Sequence, residues 1–138
     1  MKTIALIFLL SISQLFAQQQ SKNLIELSFT NQKSANGKFF LAVYDNENSF
    51  GTPEKAVFLK TFPAKIPFLE SFELKSGEYA FAVFQDLNEN GKLDKNWVGI
   101  PTEPYGFSND PVIWFGPPSF KDCLIKLSKE SKINILLR

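Results

Sequence analysis

Apolar and polar residues alternate with a period of two in several short runs of this chain. Ile25, Leu27 and Phe29 alternate with Glu26, Ser28 and Thr30, as in a strand with one face buried and the other in water. That pattern predicts a strand over 24–30. A second run, Phe39–Tyr44, follows Ser34-Ala35-Asn36-Gly37, and Asn-Gly between two such runs predicts a hairpin because both residues tolerate positive φ. Thr52-Pro53-Glu54-Lys55 predicts one helical turn, since Pro at the first helical position sacrifices no needed donor. Val57–Phe62 and Phe68–Leu74 read as strands, and Pro63 and Pro67 between them predict sheet edges or a crossing between sheets.

Ala80–Phe84 is apolar at every position, which predicts a central strand covered on both faces. Leu74, Gly77 and Tyr79 just before it have the spacing of the sandwich corner in which a Tyr hydroxyl bonds to upstream backbone. Val112–Phe115, Cys123–Leu127 and Ile133–Leu137 bring the total to about seven or eight short strands with turns between them. No stretch sustains a helical period, and no internal repeat is present. The expected fold is all-β, an antiparallel β-sandwich. Fifteen Phe among 138 residues fit it, because aromatic rings suit a pleated, half-buried surface and bury large areas.

The N-terminus changes the picture of where the chain works. Lys2 precedes a greasy run from Ile4 to Phe16, then Ala17 and Gln18-Gln19-Gln20, the arrangement of a secretory signal peptide. Residues 1–17 are therefore expected to be removed, leaving 18–138 as one domain. No later run approaches the roughly eighteen apolar residues a membrane span needs. The mature chain is expected to be secreted or periplasmic. The formal net charge is +1 and falls to zero once Lys2 is lost, which argues against nucleic acid as a partner. Cys123 is the single cysteine, so no internal disulfide can form. Its place beside Ile125 and Leu127 predicts a buried thiol.

Chemistry concentrates in Asp86-Leu87-Asn88-Glu89-Asn90-Gly91-Lys92-Leu93-Asp94. Side-chain oxygens recur at alternate residues, and Gly91 stands where a sharp bend is needed, as in the first part of a D-x-[DN]-x-[DN]-G calcium loop. The expected ligands are Asp86, Asn88, Asn90, the Lys92 carbonyl and Asp94. The twelfth position, where such loops place a bidentate Glu, is Trp97. Two carboxylates and two amides make a weak site, with a dissociation constant of roughly 10⁻⁴ to 10⁻³ M. Glu103 or Asp110 is a candidate to complete the shell. The competing reading is an Asx-rich turn whose side chains bond their own backbone.

A second segment, Gly99–Asp110, carries Pro101, Pro104, Gly99 and Gly106 and reads as a rigid loop. Trp97, Glu103, Tyr105 and Trp114 are candidate ligand-binding residues, with three rings to stack on a sugar or peptide. Alternatively, the rings cap the open end of the sandwich and cover the ion loop.

Tyr79–Asp86, Asp86–Asp94, Gly99–Asn109 and Gly116–Phe120 together resemble the bacterial DUF2141 family, a secreted domain of unknown function. Its members show G-x-YA-x-AVFHD, D-x-N-x-NGK-x-D, GIP-x-EPYGFSN and FG-x-PSF in that order. Gln85 stands where the family commonly has His. The resemblance spans about residues 24–138 and implies a transthyretin-like or immunoglobulin-like sandwich in the cell envelope or outside the cell. It carries over only Asp86, Asn88, Asn90, Gly91 and Asp94 as the shared polar loop.

The chain contains no His, so Ser-His and Cys-His nucleophile pairs and His-ligated zinc are excluded. Glu103 with Asp94 or Asp110 is the remaining acid pair, as a glycosidase could use, and a metal-assisted hydrolase is a further enzymatic reading. The expectation is a noncatalytic domain with one calcium ion, used for binding or envelope architecture, its partner a glycan or an envelope protein. A carbohydrate- or peptide-binding module that uses the loop aromatics directly is the alternative, and the hydrolase comes third.

Overall fold

The computed structural model describes residues 22–128 and 130–138. The expected signal peptide, residues 1–17, lies outside them. Among the described residues eight strands follow in order: β1 Lys22–Thr30, β2 Lys38–Tyr44, β3 Phe58–Pro63, β4 Leu69–Lys75, β5 Gly77–Asp86, β6 Tyr105–Phe107, β7 Leu124–Leu127 and β8 Glu130–Leu136. A 3-10 turn, Pro53–Lys55, joins β2 to β3, and a one-turn helix, α1 Phe120–Cys123, leads into β7. One sheet has the order β4-β1-β8. The other has the order β3-β2-β5-β6, with β7 pairing β5 below β6 on the same edge.

Alternation decides which face each strand buries. Ile25, Leu27 and Phe29 of β1 meet Phe39, Leu41 and Val43 of β2, Phe81 and Val83 of β5, and Ile133 and Ile135 of β8 in one core. Phe68 lies at its centre. Its ring stacks on Phe29 at 4.2 Å and meets Phe39 and Phe62 edge-on at 5.0 and 5.4 Å. These are the geometries the ring quadrupole favours. The outer face of the β2–β5 sheet is also covered, because Phe50 packs on Tyr44, Phe107 and Phe120 on the face where Ala42 and Ala80 are buried.

Several expectations need correction. β1 and β2 form no hairpin: β1 pairs β4 and β8, while β2 pairs β3 and β5 in the other sheet. Residues 31–37 therefore cross between layers, and Gly37 serves a different purpose there. Its φ is +74°, and a Cβ on it would sit 1.9 Å from the Asp86 carbonyl oxygen, so only glycine lets the crossing chain lie against the end of β5. The β1–β8 pair is parallel, an exception in an otherwise antiparallel sandwich.

Val112–Phe115 is not a strand, since Pro111 and Gly116-Pro117-Pro118 confine it to a loop. The missing strand is β6, inside the segment read as loop. Gly106 permits it: a Cβ there would meet Ile135 Cγ2 and the Leu136 carbonyl at 2.5 Å. Next to it, Tyr105 and Arg138 exchange both main-chain hydrogen bonds, at 3.2 and 2.9 Å, and so join the two sheets. Cys123 ends α1 instead of opening a strand. The Tyr79 ring folds over Gly77, where a Cβ would lie 2.9 Å from it, and its hydroxyl bonds no upstream backbone among the described residues. The expected crossing between Pro63 and Pro67 is present, with β3 and β4 in different sheets.

Gly37→Ala tests the crossing. Strain at positive φ and the clash with Asp86 act together, so the expected loss exceeds ~2 kcal/mol. The shift of the urea midpoint at unchanged slope measures it.

Candidate functional site

At the end of β5, alternation sends Gln85 into the sandwich and Asp86 to the opposite face. Both are buried, at 0% and 1% exposure. Gln85 Nε2 donates to the carbonyls of Ser34 and Asn36, at 2.9 and 2.8 Å, and so fastens the crossing segment to β5. Gln85 Oε1 has no partner. Asp86 folds its carboxylate over the following turn, where Oδ1 accepts from the Asn90 amide at 3.1 Å and Oδ2 from the Gly91 amide at 2.7 Å. Gly91 has φ +79°, which is the bend its position in the loop predicted.

Four of the five expected ligand residues come together. Asn88 Nδ2 donates to Asp94 Oδ2 at 2.7 Å, and Asn90 Nδ2 donates to both Asp94 oxygens at 3.0 and 3.1 Å. The carboxamide oxygens face the backbone: Asn88 Oδ1 accepts from the Asn90 amide at 3.2 Å, and Asn90 Oδ1 from the Lys92 amide at 2.8 Å. Lys92 thus joins the turn through its main-chain N–H. Outside the turn, Lys38 Nζ pairs with Glu89 at 2.6 Å. That hydrogen bond, and then the Glu89 charge, hold the Lys38 pKa above the ordinary lysine value. Among the described residues no group of three or more His, Cys, Asp or Glu is placed to hold a metal ion. A half-amide donor set would not form such a group.

Glu103 has a different place from the one expected. It is 6% exposed, and its two oxygens accept from the amides of Leu87 and Asp94 at 2.8 and 3.0 Å. The Thr102 amide donates to the Asp94 carbonyl at 2.8 Å. Glu103 is therefore a strut across both ends of the Asp86–Asp94 loop, and its oxygens satisfy main-chain donors that would otherwise be stranded. Asp110 is tied to Arg138, on the far side of β6 from the loop.

The three rings do not form one platform. Trp97 projects from the tip of a small hairpin closed by a Lys95–Pro101 bridge and is 96% exposed. Trp114 is 85% exposed on the separate 111–118 loop. Tyr105 lies half-buried in β6 against Phe107. No ring contact joins these three among the described residues. Trp97 and Trp114 are too exposed to cap the sandwich or cover the loop, whereas Phe50 does cover a sheet face.

Ser108 and Asn109 hold structural positions that the sequence reading did not identify. The buried Ser108 hydroxyl accepts from the Phe81 amide at 2.9 Å and donates to the Cys123 carbonyl. Asn109 Nδ2 donates to the Leu124 carbonyl at 2.7 Å. The available signal was parity, since Ser108 shares the inward face of Gly106. Ser119 and Asp122 form a reciprocal capping box on α1. Burial, and then the Asp122 charge, push the Cys123 thiol up to about 12, which leaves it protonated and unreactive at neutral pH.

These features define a two-sheet β-sandwich with a Glu-braced Asx loop at one end. A family model described as "Uncharacterized protein conserved in bacteria (DUF2141)" matches residues 27–134, and the chain belongs to that family. No curated protein and no solved structure matches the chain.

Glu103→Ala strands the Leu87 and Asp94 amides, so a loss of about 2 kcal/mol is expected. Glu103→Gln keeps one acceptor and should lose less. Urea denaturation of both variants checks the order.

Proposed function

We propose that this chain is a secreted, noncatalytic binding or envelope domain whose Asp86–Asp94 loop takes up one calcium ion. The observation that carries the reading is the convergence of Asn88 and Asn90 on the Asp94 carboxylate, beside an Asp86 already folded over the same turn. Oxygens from alternate residues of one tight turn are what a hard cation requires. Rotating the two carboxamides exchanges their N–H donors for oxygens facing the ion. Water completes the shell, because Glu103 is committed to main-chain amides. Both Asp86 oxygens and Asp94 Oδ1 accept one bond each and so retain a lone pair, and rotating the carboxamides frees Asp94 Oδ2, which accepts two.

At a dissociation constant of about 10⁻⁴ M, ~1 mM calcium stabilises the fold by RT ln 11, roughly 1.4 kcal/mol. That is a rise in melting temperature of a few degrees for a domain of this size. Magnesium should do much less, because it demands a tighter octahedral shell. Asp94→Asn should abolish the calcium effect with little change in the ion-free melt, since the Asp94 carboxylate accepts only from the side-chain amides of Asn88 and Asn90. Superimposable melts in chelator and in calcium, with no heat of binding, would overturn the reading.

Secretion is supported by the Lys2, Ile4–Phe16 and Ala17 pattern. Intact mass of the exported protein should show that residues 1–17, or nearly those, are gone. Retention of Met1 would refute it.

The exposure of Trp97 and Trp114 favours a second reading, a module that binds a glycan or envelope protein through its loops. Loss of glycan-array or envelope-protein binding in Trp97→Ala, with the melt unchanged, would support it.

A further inference from the structure

The chain contains two Asn-Gly dipeptides, Asn36-Gly37 and Asn90-Gly91, and both meet at Asp86. Gly37 lies against the Asp86 carbonyl oxygen, while the Gly91 amide donates to Asp86 Oδ2 at 2.7 Å. Asn-Gly is chemically special because glycine offers no side chain to hinder attack by its own amide nitrogen on the preceding carboxamide carbon. That attack forms a five-membered succinimide and releases ammonia. Water then opens the ring to aspartate or to isoaspartate, in which the main chain runs through the former side chain. The net change consumes one water, releases one ammonia and involves no redox step.

The two sites present this chemistry differently. Asn36 is exposed, and among the described residues its carboxamide makes no hydrogen bond. Only its main chain is held, the amide by Ser34 Oγ at 3.0 Å and the carbonyl by Gln85 at 2.8 Å. At Asn90 the attacking nitrogen and the target are both occupied. Gly91 N–H is bound to Asp86, Asn90 Oδ1 accepts from Lys92, and Asn90 Nδ2 is bound to Asp94. Reaction there requires several bonds to break together.

We propose that Asn36 is a site of spontaneous deamidation and isomerisation, and that the Asp86 carboxylate holds the identical dipeptide at Asn90 closed. The two events are ordered. Isoaspartate at 36 adds a main-chain methylene where Gly37 lies against Asp86, and it displaces a carbonyl that anchors Gln85. The seat of Asp86 loosens, and the Gly91 amide is released. Aspartate at 90 then adds a carboxylate to the polar loop. This proposal concerns the ion-free chain and does not depend on calcium binding.

The test is incubation of the folded mature protein in mildly alkaline buffer with chelator, followed by peptide mass mapping and enzymatic methylation of isoaspartate. Asn36 should convert at least ~10-fold faster than Asn90, since Asn90 reacts only from locally opened molecules. In urea the two rates should converge. Asp86→Asn should raise the Asn90 rate toward its urea value. Because that variant can fail to fold, hydrogen exchange of the Gly91 amide in the unaltered protein is the second measurement, with slowed exchange expected. Equal rates at the two sites in the folded protein, an Asn90 rate indifferent to a folded Asp86→Asn, or unprotected exchange at Gly91 would each overturn the proposal.

Discussion

A chain that leaves a central strand and returns to pair with the same edge of that strand must satisfy its main-chain donors on the way. β5 ends at Asp86, and β6 begins at Tyr105, opposite Phe84. The excursion between them carries no strand long enough to do this by itself. Two buried carboxylates supply the acceptors: Asp86 takes the amides of Asn90 and Gly91, and Glu103 takes those of Leu87 and Asp94. Buried carboxylates are costly unless they are well bonded, and unbonded amides are costly too. Each cost cancels the other here, so the loop is folded by the same groups that make it polar.

The side chains that would hold an ion are the ones that close the turn. A loop already folded by its own amides loses little conformational entropy on taking up a cation, but it must first exchange those amide contacts for oxygen ligands. For the proposed calcium ion, that exchange would weaken affinity as much as the small number of carboxylates.

The strands of the core were legible because their alternation is a direct image of burial. Ile25, Leu27 and Phe29 point inward, as their spacing requires. The polar loop was equally legible, down to the bend at Gly91. Partnership between strands was not. Asn36-Gly37 carries a hairpin signature, yet its backbone is used for close approach to Asp86, a contact nearly fifty residues away that no local window contains. β6 was missed for a similar reason: three residues between two prolines look like loop until β5 and Arg138 are placed on either side. Glu103 was noticed as a carboxylate, but its role depends on amides nine and sixteen residues upstream. What sequence periodicity cannot encode is which distant donor a buried acceptor will face.

The parallel pairing of β1 with β8 joins Leu24–Thr30 to Glu130–Leu136, the first and last strands among the described residues. A chain delivered from its N-terminus offers β1 long before β8 exists. Until the seven residues of β8 arrive, one edge of β1 is open and the Ile25, Leu27 and Phe29 face lacks the cover of Ile133 and Ile135. Contacts of such long sequence separation slow folding and prolong the exposure of sticky intermediates. The sandwich is thus completed by β8, and β1 keeps one edge unpaired until that strand is in place.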